Sequence, residues 1–295
     1  MDMRRGGCID FFGDEMKRWL LIPGSAAVLG LLLWQGSVTA QAVREGLILC
    51  GRSVIPALFP FMVAVRFLVG CGMGGWFSPA VAVLVVGAVG GYPLGASTVG
   101  QLYGCAQLSR EQASRLLCCC NNAGPAFILT FLGEGIFGSL RTGLFLWGVH
   151  LTSAAAMAML FFPTTGNSLP RNTQQKPPAT AFVEAVTGAV DTMARVCGFV
   201  VLFSVVTALL QHFGIRWPAL LGALELTCGA GSLPRNAGGV ILGSALLGWG
   251  GVSVHCQTVA VLSETDLPVG RYVLAKALQG GISAILAAGV VRFWA

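Results

Sequence analysis

The residues of this chain that can do chemistry are polar groups set into apolar sequence. "CNNAGPAFIL", Cys120 to Leu129, places two adjacent amides and a Gly-Pro break between stretches that read as membrane. "GYPLGAST", Gly91 to Thr98, repeats the arrangement, with Pro93 restarting a helix and Tyr92, Ser97 and Thr98 adding hydroxyls. Glu225 stands inside "ALLGALELTCGAG" with no basic residue within eight positions on either side. "GGVSVHCQ", Gly250 to Gln257, sets Ser253, His255 and Gln257 beside a double glycine.

Polar backbone is tolerated at bilayer depth only where protein or a water-filled cavity satisfies it. "NNAGP" is therefore expected at the tip of a re-entrant hairpin, with Asn121 and Asn122 offering donors and acceptors and Pro125 opening the next half-helix. The N-terminus of a half-helix is a natural seat for a carboxylate. Helix packing competes for Gly87, Gly91 and Gly95, which have small-xxx-small spacing. An intramembrane carboxylate such as Glu225 reads as a coupling group, a substrate contact or the partner of a distant arginine, with a buried structural ion pair as the alternative. His255 is either a proton carrier or a hydrogen bond to a neighbouring helix.

The elements that must position these groups follow from composition. The 295 residues are 55% hydrophobic and only 10% charged, with mean hydropathy +0.77. This is the composition of an integral membrane protein. Uncharged runs at Trp19–Val43, Phe67–Ser109, Leu116–Gly133, Thr142–Pro170, Val196–Ile215 and Asn236–Ser263 compare with the roughly 20 residues needed to span a bilayer. Several are too long for one span and are cut by Gly and Pro. The expectation is an all-α, polytopic bundle of about 7–9 membrane segments, some of them broken or re-entrant.

The net charge of +6 includes Arg4, Arg5, Lys17 and Arg18 ahead of the first span, which orients the N-terminus to the cytoplasm. Topology explains the basic balance, and nucleic-acid binding is not expected. Met16–Ala42 competes as a signal peptide, and Met16 as an alternative start to Met1. Ten cysteines lie in apolar context without zinc spacing, so packing is their expected role. Asp191 and Arg195 are spaced to pair, and Arg66 and Glu134 to snorkel. No nucleotide-loop, nucleophile-elbow or zinc signature occurs, so no enzyme and no cofactor is expected.

An internal repeat organises the chain. "QAVREGLILCGRSVIPALFPFMVAVRFL" from Gln41 and "TAFVEAVTGAVDTMARVCGFVVLFSVVTALL" from Thr180 align Glu45 with Glu184, and each is followed by two Gly-broken stretches and a terminal span. The layout is an extension over 1–18, a first helix over 19–40, one repeat over 41–163, a polar linker over 164–180 and a second repeat over 181–295. Matching interruptions in two halves point to a secondary transporter. The sequence leaves open whether the repeat is inverted or parallel.

At "VIPALFPFMV", "GYPLGA", "CNNAGPAFI", "LELTCG" and "GWGGVSVHCQ", in that order, the chain resembles the YlbJ/SpoVV family of sporulation integral membrane proteins. The resemblance covers most of residues 16 to 292. It implies nucleoside-recognition (Gate) domains, a distant likeness to concentrative nucleoside transporters, and transport of dipicolinic acid across the outer forespore membrane. The triple cysteine before Asn121, Cys256 and the N-terminal extension depart from the family pattern. The expected function is a secondary carrier of a small organic anion, with Tyr92, Ser97, Asn121, Asn122, Glu225, Ser253, His255 and Gln257 at the site. The coupling ion, H+ or Na+, is open, and a homo-oligomer is compatible. A nucleoside or nucleobase carrier and a non-transporting sporulation scaffold are the alternatives, the latter disfavoured by the absence of long soluble loops.

Overall fold

The computed structural model describes residues 23–71, 78–162 and 176–292, and every regular element in them is helical. The extension, the Met16 start and most of the polar linker lie outside the described residues.

Helix α1 (Pro23–Trp34) meets the next helical run at a bend of 89°, so the apolar run that opens the chain is divided at Gln35. α2 (Gly36–Leu49), a π-helical turn at Cys50–Val54 and α3 (Ile55–Gly70) then continue without a gap. Their partner is α8 (Pro178–His212), 35 residues long. Gly46 lets Val201 and Ser204 approach so closely that a Cβ there would stand 3.1 Å and 3.2 Å from them, and a Cβ on Gly70 would meet Ala181 at 3.2 Å. The two runs therefore lie antiparallel, with Met62, Ala189 and Met193 buried between them.

Two further helices, α7 (Leu140–Phe161) and α13 (Gly270–Val291), are 22 residues each. Met157 clusters with Ala275, and Leu146 with Val291, so these too run antiparallel. The equivalent helices of the two halves thus point in opposite directions. The repeat is inverted.

The remaining elements are half-helices: α4 (Pro79–Gly90), α5 (Leu94–Gly104), α6 (Arg110–Cys120), a π-helical segment (Phe127–Ile136), α9 (Pro218–Leu224), α10 (Leu226–Gly231), α11 (Ala237–Trp249) and α12 (Val252–Val261). α4 and α5 double back on each other, because a Cβ on Gly95 would meet the Gly87 Cα at 3.1 Å. α9 and α10 do the same, Gly229 lying against Gly222.

The hairpin expected at "NNAGP" is found elsewhere. Along α7, Gly133 packs on Gly143, the Ala123 N–H reaches His150, and Cys118 and Cys119 cluster with Met157. Contacts that march along a whole helix belong to a crossing span with a break in it, not to a hairpin tip. The "GWGG" break is of the same kind, since α11 and α12 together form one 25-residue span. The re-entrant tips are Gly91–Pro93 and Leu224–Leu226 instead. Small residues explain the exchange: Gly87/Gly95 and Gly222/Gly229 let two short helices touch, which the bulkier flanks of "NNAGP" do not.

Four helices among the described residues are long and apolar enough to cross a membrane, or five if the bent pair is one span. That is fewer than the seven to nine expected. The difference lies in the breaks, which cut apolar runs into halves too short to span alone. Outward faces are apolar, with Met159, Leu274 and Ile285 each more than 70% exposed. Such a surface suits lipid. The described cysteines are free thiols, and Cys118, Cys119 and Cys120 are buried in packing contacts.

Candidate functional site

The four breaks come together. Gly91 and Gly124 touch backbone to backbone, a Cβ on Gly91 standing 3.1 Å from the Gly124 nitrogen. The Cys120 carbonyl, last of α6, lies in the cleft between Gly87 and Gly95. In the other half Gly251 abuts the Leu226 nitrogen, where a Cβ would come within 3.3 Å, and Trp249 Nε1 donates to the Ala223 carbonyl at 3.0 Å. Tyr92 joins the halves: its ring covers Gly250 and its hydroxyl donates to the Leu247 carbonyl. Gly250 and Gly251 have φ of 91° and 92°, a conformation that only glycine adopts readily, so this break is written into the double glycine.

The half-helix N-termini differ in how they are satisfied. Glu225 caps α10, its Oε2 accepting from the Cys228 N–H at 2.6 Å. His150 Nε2 accepts from the Ala123 N–H at 3.1 Å, which quiets the break in the α6 span. α5 and α12 have no side-chain cap. These two run side by side and parallel, since Gly250 meets Tyr92 while Gly100 meets Leu262. Two uncapped N-termini pointing the same way offer free N–H groups and partial positive charge to an anion.

Beside them lies a buried lysine. Lys276 on α13 is 1% exposed, and its Nζ donates to the Asn121 carbonyl at 2.8 Å and to Gln279 Oε1 at 2.6 Å. It also lies 5.4 Å from the centre of the Tyr92 ring, within cation–π range. Among the described residues no carboxylate pairs with it. Gln279 passes the link on, its Nε2 donating to Asn122 Oδ1 at 2.9 Å. Ser283 donates to Ser153 at 2.9 Å.

A second branch leads to His255. Asn121 Nδ2 donates to the Tyr272 hydroxyl at 2.8 Å and to Thr258 Oγ1 at 2.9 Å. Thr258 spends its own proton on the Val254 carbonyl at 2.8 Å. The Tyr272 hydroxyl lies 3.1 Å from His255 Nδ1 and 3.2 Å from Thr258 Oγ1. His255 Nε2 and Asn121 Oδ1 are buried without partners. The site thus holds a buried amine without a carboxylate partner, two unpartnered polar atoms and two helix ends without side-chain caps.

The structure joins four of the eight sequence candidates here, Tyr92, Asn121, Asn122 and His255. Tyr92, Asn121 and His255 belong to the network itself. Asn122 spends both ends of its amide, Nδ2 on the Cys119 carbonyl at 2.9 Å and Oδ1 on Gln279, so it holds the break in place. Ser253 and Gln257 bond one another at 3.2 Å on α12. Glu225 makes a helix cap. Ser97 accepts from Gln101 at 3.4 Å at the buried edge of a cavity of about 620 Å³. Arg66, Gln101, Cys105, Glu184 and Glu264 also line that cavity, so Arg66 turns inward, where its NH2 donates to Thr192 at 2.8 Å, in place of snorkelling. Arg195 reaches Glu264 at 3.6 Å and the Ala260 carbonyl at 2.9 Å, in place of Asp191. A second cavity of about 460 Å³ contains Glu45, Gln211 and His212 at the other end of the α2–α8 pair.

Lys276, Gln279 and Tyr272 escaped the sequence reading. Their signal is the polar stripe Tyr272, Lys276, Gln279, Ser283, at helical spacing inside an apolar helix.

The chain is similar to the sporulation integral membrane protein YlbJ of Bacillus subtilis (strain 168), with 27% identity over an alignment 320 positions long that takes in 86% of this chain and 77% of the relative. No family model and no solved structure matches the chain. The similarity agrees with the resemblance carried by the five motifs.

Proposed function

Taking the chain as a YlbJ-like sporulation integral membrane protein, we propose that it is a secondary carrier for a small organic anion. The observation that carries this reading is Lys276, a buried lysine amine without a carboxylate partner where four broken helices meet. A buried charge is costly unless paired. An anion arriving at the α5 and α12 N-termini supplies the missing charge. Broken helices around a central site, in two inverted halves with a cavity toward each end, are the arrangement of alternating-access carriers.

Dipicolinate is the substrate we favour. It is a small planar dianion: one carboxylate suits Lys276, the other the open helix ends, and the ring nitrogen accepts from the unpartnered His255 Nε2 when that nitrogen carries the proton. The family resemblance adds the outer forespore membrane as the location, and the basic N-terminal residues add a cytoplasmic N-terminus. The cavity of about 620 Å³ beside Ser97, Arg66 and Val261, which Lys276 does not line, is of a size that admits such a molecule on its way to the site.

Radiolabelled dipicolinate uptake into proteoliposomes tests the proposal. Wild-type protein accumulates the label, and Lys276→Met, shown folded by gel filtration, does not. Competition by nucleosides and not by pyridine dicarboxylates redirects the substrate to the nucleoside class. No uptake of either by folded protein overturns the carrier reading in favour of a scaffold.

A further inference from the structure

Where a transporter helix unwinds, the carbonyls released from the helical ladder are ligands for a coupling cation. In this chain one such oxygen already accepts from a lysine amine. The Asn121 carbonyl, at the point where α6 ends, accepts from Lys276 Nζ at 2.8 Å, and the neutral amide oxygen of Gln279 accepts from it at 2.6 Å. Both are uncharged oxygens of the kind that sodium takes as ligands, and both are bound by an amine tethered to α13.

We propose that the Lys276 ammonium stands in the place of a coupling sodium ion, so that transport is driven by protons carried on this amine and is independent of sodium. The inference rests on the carrier reading above. In each cycle a proton from one solution binds neutral Nζ, and the charged amine then holds the anion against the α5 and α12 N-termini. When the anion leaves on the other side, the ammonium loses its counter-charge and returns its proton to that solution. One proton and one anion cross, and nothing else is consumed.

The surroundings fit this role. The titratable groups facing Lys276 are Tyr272 on its own helix, Cys119 and Cys120 on α6, Tyr92 at the α4–α5 tip, His150 on α7 and His255 on α12. None of these is a carboxylate. Glu225 is occupied in capping α10. Lys276 is therefore the one group among them that ordinarily carries a positive charge and whose charge an anion would neutralise.

The test uses the full chain in proteoliposomes with two assays of radiolabelled dipicolinate. Exchange into vesicles preloaded with unlabelled dipicolinate reports the carrier alone. Net uptake with the membrane potential clamped reports the driving ion, and one coupled proton supports about tenfold accumulation per pH unit. The inference expects wild-type uptake to follow the pH gradient and to be unchanged when choline replaces sodium. Lys276→Arg, whose guanidinium does not give up its proton, loses gradient-driven accumulation, and whatever exchange it retains no longer responds to the pH gradient. If that variant does not fold or does not exchange, the sodium replacement and the pH-gradient dependence of wild-type uptake decide alone. Exchange with a sodium requirement, wild-type uptake that ignores the pH gradient, or full accumulation by the Arg variant overturns the inference and leaves the carrier standing. Absence of exchange in folded wild type overturns both.

Discussion

Ser153 and Ser283 hydrogen bond to each other at 2.9 Å, and each is the fourteenth residue of its own 22-residue helix. Equivalent residues touch only where a two-fold axis passes, as at an isologous interface. The pseudo-axis of the inverted repeat therefore runs between these two hydroxyls. Seven residues before each serine the halves part company: Lys276 stands on α13 where Leu146 stands on α7. The scaffold is symmetric and its charge is not.

Ser283→Ala removes the donor to Ser153, while Ser153 still donates to the His150 carbonyl at 2.8 Å. The expected cost is about 1 kcal/mol. Ser153→Ala costs more, because it also removes the bond to the His150 carbonyl, and the double variant costs little more than Ser153→Ala alone, because the bond between the serines is already gone. Thermal melting in detergent checks this.

Asn121→Asp places a carboxylate beside Lys276 without changing the side chain's shape. The chain folds, with the Thr258 and Tyr272 hydroxyls turning from Val254 and His255 to donate to the acid where the amide donated to them. Anion uptake falls by about tenfold or more, since a fixed carboxylate competes for the same charge at a coupling worth about 1.5 kcal/mol or more. Uptake by this variant at the wild-type rate would show that the substrate does not use Lys276.

Glu225→Ala removes the α10 cap and costs about 1 kcal/mol, read as a lower melting temperature. Glu225→Gln keeps an acceptor for the Cys228 N–H, and is expected to retain both stability and most of the transport. Loss of transport in a stable Gln variant would return Glu225 to the binding site.

Gly95→Leu drives a side chain into the Cys120 carbonyl and the Gly87 backbone, which cannot withdraw. The expected penalty is about 1–3 kcal/mol or failure to assemble. Gly148→Leu, where a Cβ meets nothing within 4 Å, is the matched control and accumulates normally. Membrane accumulation of the two variants is the measurement.

Asp266 clips the connection before α13 to the start of α6. Tyr103 donates to its Oδ1 at 2.6 Å and Arg110 lies 2.9 Å from its Oδ2, and the Tyr103 hydrogen bond, with the nearby Arg110, holds its carboxyl below the ordinary value of 3.8. A depressed carboxylate contributes stability above its unfolded pKa, and that contribution is lost as the pH falls through the folded one. Protection from hydrogen exchange over residues 262–269, measured against the intrinsic rate at each pH, is expected to fall on acidification below about pH 4, and to fall less in Tyr103→Phe.

The breaks were legible because glycine, proline and amides have few uses inside an apolar run. "GYP", "NNAGP", "LELTCG" and "GWGG" each mark a true interruption. Which interruptions turn back and which carry on was not legible, since that depends on what packs beside them: Gly222 against Gly229 is a contact across a turn, and no local pattern separates it from a packing motif within one helix. Lys276 was hidden by position. It lies six residues into α13, next to a run that closes the chain, where a basic residue ordinarily marks the edge of a span. Only the helix start at Gly270 shows that it is a third of the way in.

The α8 helix, 35 residues long, measures about 52 Å at 1.5 Å per residue. The hydrocarbon layer is about 30 Å thick. α8 and the equally long α2–α3 run therefore either lean far from the membrane normal or carry their ends into the headgroups. The exposed charges say which ends those are: Glu184, Asp191 and Arg195 in the first half of α8, and Arg44, Glu45 and Arg52 along and just beyond α2. Because the two lie antiparallel, a change of bilayer thickness acts on both at once and in opposite senses. Hydrophobic mismatch becomes a force on the frame that carries both hairpins, and the lipid of the host membrane a determinant of how that frame sits.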